Sequence, residues 1–137
     1  LHWLAPPDAA LHEFHRVLKP GGIAVFADVV SPGHPLLDTH LQSVELLRDT
    51  SHVRNYSSGE WLTLATEAGL VVNQLLTDRL PLEFSSWVAR MRTPAALSDA
   101  IRAYQQSASA QVKDYFALQE DGSFTSDTIM VEAHKAG

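Results

Sequence analysis

The chain has 137 residues, of which 45% are apolar and 19% charged, a composition typical of one globular domain. Its formal net charge of −6 predicts that it does not bind nucleic acid. It has no apolar run of about 20 residues, which predicts a cytoplasmic protein that does not bind a membrane. The absence of cysteine excludes a disulfide framework, a thiolate nucleophile and zinc bound by cysteine.

The first part of the chain alternates between helical and strand patterns. Apolar residues recur at helical spacing over Asp8–Leu18, and the sequence KPGG at Lys19–Gly22 predicts the end of that helix. Ile23–Val30 (IAVFADVV) is apolar almost throughout, which is typical of a strand buried on both faces of a parallel sheet. After a turn, the spacing of Leu37–Leu47 predicts a second amphipathic helix, which ends near Arg48.

A capping pattern marks the next helix. Ser57 with Glu60 three residues later matches a capping box, and Gly69 predicts the end of the helix. Leu70–Asp78 (LVVNQLLTD) is typical of a second strand, and Pro81 is expected to break the regular backbone after it.

The remainder is a helical block followed by one strand. The segment Phe84–Phe116 is helical in tendency, and Trp87 and Met91 lie on one apolar stripe of it, a pattern that is more often core than ligand site. Asp121–Ser123 predicts a turn, and Thr128–Ala133 (TIMVEA) predicts a third strand.

Three segments resemble class I S-adenosylmethionine-dependent methyltransferases of the type 11, ubiquinone/menaquinone-biosynthesis-like kind. They are LHEFHRVLKPGGIAVFADVV (Leu11–Val30), NYSSGEWLTLATEAGLVV (Asn55–Val72) and TIMVEAHKA (Thr128–Ala136). The resemblance implies an α/β fold that is the C-terminal portion of a Rossmann-like methyltransferase, with about three strands, helices and a helical insertion. Residues 1–137 would form a partial methyltransferase domain, in which residues 84–116 cap the acceptor side.

The donor-binding segment of that family is not found in the sequence. The family's glycine-rich loop follows a strand and opens a helix, whereas Gly21 and Gly22 follow a helix and precede a strand. We therefore expect the first four strands to lie upstream or to have been lost. S-adenosylmethionine is the cofactor of the full-length family, and we expect this chain not to bind it tightly.

The resemblance and the topology each nominate binding residues. By resemblance, His2 and Trp3 follow the fourth strand and lie beside the donor and the acceptor, unless they are frayed terminal residues. Open α/β sheets bind ligands at the carboxyl ends of their strands, which places Asp28 and the loop Ser31–His34 at the crevice. Asp28 could equally cap the loop backbone.

A second polar cluster precedes the capped helix. This cluster consists of His52, Arg54, Asn55 and Tyr56, in a loop that could place an imidazole or a guanidinium over a substrate. The alternative is a solvated loop from which Tyr56 packs onto the helix.

Metal binding is not expected. His12 and His15, and likewise His34, Asp38 and His40, are close in sequence, but neither set has a known ligand spacing with further partners.

Two functions remain open. In the first, the chain is part of an enzyme that methylates a small organic acceptor, inactive without the donor-binding half, with His2, His52 or Asp28 as the base. In the second, the chain is a noncatalytic remnant that acts as a dimeric binding or assembly module.

A homodimer is predicted from the sheet edge. The resemblance implies the strand order Ile23–Val30, Thr128–Ala133, Leu70–Asp78, with the closing strand antiparallel. Without an upstream neighbour, Ile23–Val30 would be an apolar edge strand, which is a template for pairing with a second copy under two-fold symmetry.

Overall fold

The computed structural model describes residues 7–52 and 54–136, so His2 and Trp3 lie outside the described residues. These residues form six helices and three strands. The elements are α1 (Pro7–Val17), β1 (Ile23–Val29), α2 (Pro35–Arg48), α3 (Ser58–Glu67), β2 (Leu70–Leu82), α4 (Phe84–Arg90), α5 (Ala95–Gln106), α6 (Ala110–Tyr115) and β3 (Phe124–Lys135). No helix among the described residues has the length and hydropathy that crossing a membrane requires.

The three strands form one sheet in the order β1-β3-β2. β1 and β3 are antiparallel, with Phe26 opposite Val131 and Asp28 opposite Ile129. The predicted fold class, strand order and antiparallel closing strand are confirmed. β3 is longer than the predicted TIMVEA segment and begins at Phe124.

The chain folds into two compact units. The first unit takes its residues from 1–30, 56–78 and 128–137, and the second from 31–55 and 79–127. Each unit has its own apolar core, built from segments that are distant in sequence. In the first unit the core includes Leu11, Phe26 and Trp61, with Ile129 and Val131 from β3.

The turn between α1 and β1 depends on two glycines, as the KPGG sequence predicts. Gly21 has φ 77°, a left-handed conformation that favours glycine because it has no Cβ. A Cβ on Gly22 would lie 2.8 Å from the backbone oxygen of Lys19. The Gly21 N–H donates to the Lys135 carbonyl at 2.7 Å, which ties the start of β1 to the end of β3.

One face of β1 is exposed, so the prediction that both faces are buried is wrong. Phe26 is 4% exposed on the core face, whereas Ile23 and Val25 on the other face are 58% and 61% exposed. Met130 of β3 lies on the same open face, opposite Ala27, and is 40% exposed. Strand residues alternate between faces, and α1 and α3 supply the core on only one of them.

The capping box at the start of α3 is present. The Ser57 Oγ accepts a hydrogen bond from the Glu60 N–H at 3.2 Å, and the Glu60 carboxylate accepts one from the Ser57 N–H at 3.1 Å. The helix ends at Glu67 with Ala68 as its C-cap, and Gly69 follows with φ 87°. Both ends of α3 therefore follow the sequence prediction.

The second unit packs α2 against α5 and α6. The segment Phe84–Phe116 is helical as predicted, because it contains α4, α5 and α6. Trp87 is buried in the core of this unit and packs edge-on against Phe124, with 5.0 Å between ring centroids. Arg48 lies over the Trp87 ring at 4.7 Å, and its Nε donates to the Trp87 carbonyl at 2.8 Å, which joins α2 to α4.

The prediction that Pro81 breaks the second strand is wrong, since β2 continues to Leu82. Proline lacks an N–H to donate to a neighbouring strand and is tolerated on edge strands. β2 is at one edge of the sheet, so the missing donor is compatible with a continuous strand.

Candidate functional site

The loop after β1 is held by a serine that the sequence placed near the crevice. Ser31 is buried, and its Oγ donates to Asp38 Oδ1 at 2.5 Å and accepts from the Gly33 N–H at 3.2 Å. Gly33 has φ 83°, which allows the chain to turn before α2 begins at Pro35. The loop is therefore anchored to the first turn of α2 through Asp38.

Gln42, one helical turn after Asp38, connects that loop to the loop that carries His52. Its Nε2 donates to Asp38 Oδ1 and to the Asn55 carbonyl, both at 2.9 Å. Its Oε1 accepts from the Asn55 N–H at 2.9 Å and lies 3.0 Å from His52 Nε2. Residues four apart share one helix face, so Asp38 and Gln42 face the same loops. We call Ser31, Asp38, Gln42, His52 and Asn55 the Gln42 cluster.

The loop that contains His52 is ordered by local hydrogen bonds as well. The His52 N–H donates to the Asp49 carbonyl at 2.9 Å. The Asp49 side chain accepts from both the N–H and the hydroxyl of Ser51, at 3.0 and 2.7 Å, which is a turn typical of aspartate. The backbone of His52 is therefore held by Asp49, and its imidazole by Gln42.

Asn55 contributes one atom that has no partner. Its Nδ2 is buried and makes no hydrogen bond within the described part of the chain. A buried donor without a partner costs about 1–3 kcal/mol, so such atoms are uncommon in native structures. The backbone N–H and C=O of the same residue are both satisfied by Gln42.

The other predicted site residues lie in different surroundings. Asp28 is half-buried near the end of β1, and its Oδ1 accepts from the Val29 N–H at 2.8 Å. Tyr56 packs edge-on against Trp61 with 6.1 Å between ring centroids. These two residues flank the N-cap of α3 at the positions of a hydrophobic staple. Arg54 is exposed. Asp28 and Tyr56 belong to the first unit, and His52 and Arg54 to the second.

His40 is separated by its packing from the polar residues that neighbour it in sequence. Its ring lies against Tyr104 and Phe116, with centroid distances of 5.3 and 5.2 Å, and the residue is 5% exposed. Burial lowers the pKa of His40 to about 4, because the charged ring would lose its hydration. Among the described residues, no group of three histidine, aspartate or glutamate side chains could hold a metal ion.

The only adjacent glycines in the sequence do not form a nucleotide-binding loop. The Gly21 N–H donates to Lys135 and the Gly22 N–H to Lys19, so both are used within the turn. A donor-binding loop needs backbone N–H groups directed at its ligand. The N–H groups of Gly21 and Gly22 are therefore not directed at a ligand.

The sequence interpretation missed Gln42. The apolar stripe of α2 drew attention to Leu37, Leu41 and Val44, which are buried as predicted. The available signal was the spacing of Asp38 and Gln42, two polar residues four apart. That signal does not reveal that Gln42 contacts His52 and Asn55, because those contacts depend on how the loop returns to the helix.

Comparison with known proteins identifies relatives over almost the whole chain. The family model described as methyltransferase domain matches residues 1–26. The uncharacterized protein YafE of Escherichia coli K12 is 70% identical over 135 residues, which are 98% of this chain and 65% of YafE. The uncharacterized methyltransferase YcgJ of Bacillus subtilis is 31% identical over 139 residues, with 98% of this chain and 55% of YcgJ covered.

Two solved structures share the fold. A candidate methyltransferase from Bacillus halodurans has a TM-score of 0.87 and 28% identity, with 96% of this chain and 63% of that protein covered. The crystal structure of YcgJ from Bacillus subtilis has a TM-score of 0.84 and 30% identity, with 97% of this chain and 59% of YcgJ covered. The chain thus spans 55–65% of the length of these relatives. In sequence and in fold the chain is similar to proteins named as methyltransferases and resembles a class I methyltransferase domain.

Proposed function

We propose that this chain forms the acceptor side of an enzyme that transfers a methyl group from S-adenosylmethionine to a small organic acceptor. The observation that carries the proposal is the similarity to YcgJ, which is named a methyltransferase and matches 98% of this chain in sequence. The same relative matches 97% of the chain in structure with a TM-score of 0.84. Fold alone does not define an activity, so the proposal also depends on the residues of the site.

The Gln42 cluster supplies the groups that an acceptor site needs. Methyl transfer depends mainly on aligning the two reactants and, for a hydroxyl or amine acceptor, on removing a proton. His52 provides an imidazole fixed by Gln42 at 3.0 Å, and Asn55 Nδ2 is a buried donor that no described residue satisfies. In this proposal His52 takes the proton of the acceptor, and the Asn55 amide donates a hydrogen bond to it.

Asp28 remains a second candidate for the base. It follows Phe26 on the core face of β1, near the carboxyl end of the strand. Its Oδ1 already accepts the hydrogen bond of the Val29 N–H, so this oxygen is engaged with the backbone of the strand. We therefore favour His52, because histidine is the side chain most often used as a general base and the His52 ring is oriented by Gln42.

The test measures methyl transfer directly. Protein expressed from its own complete gene is incubated with methyl-labelled S-adenosylmethionine and fractionated small metabolites, and S-adenosylhomocysteine and labelled products are quantified. We expect turnover that depends on the acceptor fraction, a loss of about 100-fold or more in kcat for His52→Ala, and no change for Thr39→Ala on the exposed side of α2. Absence of S-adenosylhomocysteine above background with every fraction would overturn the proposal.

A noncatalytic module that pairs with a second copy is the alternative. The observation that favours it is the position of β1 at one edge of the sheet, with Ile23 and Val25 more than half exposed. Such an edge offers unpaired backbone groups and apolar side chains to another strand. This alternative predicts self-association without any methyl transfer.

A further inference from the structure

The side-chain amide of Gln42 has only one possible orientation. Its nitrogen contacts the Asn55 carbonyl and its oxygen contacts the Asn55 N–H, each at 2.9 Å. Exchanging the two amide atoms would place a donor against the N–H and an acceptor against the C=O. Backbone groups cannot exchange these roles, so Asn55 determines which amide atom is the oxygen. The contact of Nε2 with Asp38 Oδ1 at 2.9 Å agrees with this orientation.

The orientation of Gln42 determines which nitrogen of His52 carries a proton. Gln42 Oε1 can only accept, and it lies 3.0 Å from His52 Nε2, so Nε2 must donate. With this bond, all four hydrogen-bonding positions of the Gln42 amide are used: two donors and two acceptor lone pairs. The proton on Nε2 of His52 is therefore bound by a Gln42 side chain that has no hydrogen-bonding position left for another partner.

We infer that Gln42 is a positioning residue that keeps a proton on Nε2 of His52, so that the proton the ring gains or releases is the one on Nδ1. In many functional histidines, a hydrogen-bond partner on the nitrogen that does not react fixes the tautomer of the ring. The use of Nδ1 in proton removal rests on the proposed function, whereas the assignment of the Nε2 proton rests on the hydrogen bonds alone.

The test records long-range ¹H–¹⁵N spectra of the histidine rings across a pH titration, with the His52 signals assigned through a His52→Gln variant. We expect Nε2 of His52 to stay protonated throughout and Nδ1 to change with pH. In Gln42→Met, which removes the amide, exchange of the Nε2 proton with water should accelerate about fivefold or more, the effect of losing one hydrogen bond.

Ser43→Ala is the matched control, because Ser43 follows Gln42 on α2 and its hydroxyl only donates to the Thr39 carbonyl. It should leave the His52 spectrum unchanged. A neutral wild-type ring with its proton on Nδ1, or equal exchange in wild type and Gln42→Met, would overturn the inference. Because the measurement needs no substrate, agreement here combined with an absence of methyl transfer would leave the role of Gln42 standing and remove the proposed function.

Discussion

Acidification should destabilise this protein through His40, which the fold buries as a neutral ring. The imidazole lies between Tyr104 and Phe116, and burial lowers its pKa from 6.5 to about 4. In the unfolded chain the ring is protonated below about pH 6.5, while the folded state resists protonation until about pH 4. Between these values the unfolded state binds more protons. Stability is therefore fully present above about pH 6.5 and falls as the pH decreases towards 4.

The magnitude follows from the size of the pKa difference. One pKa unit corresponds to about 1.4 kcal/mol, so His40 should contribute a loss of about 2 kcal/mol by pH 5 and about 3 kcal/mol below pH 4. A domain of this size is stabilised by about 5–15 kcal/mol in total, so such a loss is easily measured. Burial of the ring accounts for the lowered pKa of His40.

The assay is urea unfolding followed by tryptophan fluorescence at a series of pH values, with the free energy of unfolding obtained by linear extrapolation. His40→Leu removes the titrating group and should flatten the pH dependence between about pH 6.5 and 4. Tyr104→Phe keeps both the ring contact and the imidazole, so it should retain the wild-type dependence. If wild type and His40→Leu lose stability in parallel over this range, to within about 0.5 kcal/mol, the reasoning is refuted.

Three further predictions concern the site, the sheet edge and the donor. Gln42→Leu should reduce the free energy of unfolding by about 2–4 kcal/mol because it removes the acceptor of the buried Asn55 N–H and the hydrogen bond to His52 Nε2. Asn55→Ala should change this free energy by less than about 1 kcal/mol, and equal effects in urea unfolding would contradict the prediction. Sedimentation equilibrium at about 50 μM should give twice the 15.0 kDa mass of the chain, and the Val25→Lys variant, changed on the exposed face of β1, should give the mass of the monomer. A monomeric wild type would exclude the dimer. Isothermal titration of the 137-residue chain by itself should detect no S-adenosylmethionine binding below about 1 mM, a prediction that micromolar affinity would contradict.

Local signals in the sequence predicted the local structure well. The capping box of Ser57 and Glu60 satisfies its own backbone groups, so three residues of spacing are enough to locate the start of α3. The glycines before β1 are also a local signal, since the positive φ of Gly21 excludes most other residues. The packing of Tyr56 on Trp61 was one of two interpretations, and the same helix start explains it.

The Gln42 cluster could not be predicted in this way. His52 and Asn55 were recognised as polar loop residues, but Gln42 is ten and thirteen positions away from them. Their contacts form only when the loop after α2 folds back along the helix. A glutamine side chain gives no sequence signal for a tautomer-fixing role, because its identity as donor or acceptor depends on partners that the fold supplies.

The exposed face of β1 shows the limit of a hydrophobic pattern. A run such as IAVFADVV predicts that the strand is covered on both faces, because apolar strand residues are rarely left in water. The pattern does not state which segment provides the cover, and the described residues cover only the face of Phe26. Val25 therefore remains 61% exposed, although the apolar pattern predicts that it is covered. The Val25→Lys variant is informative for the same reason, since a charge at this position is costly only if another surface covers it.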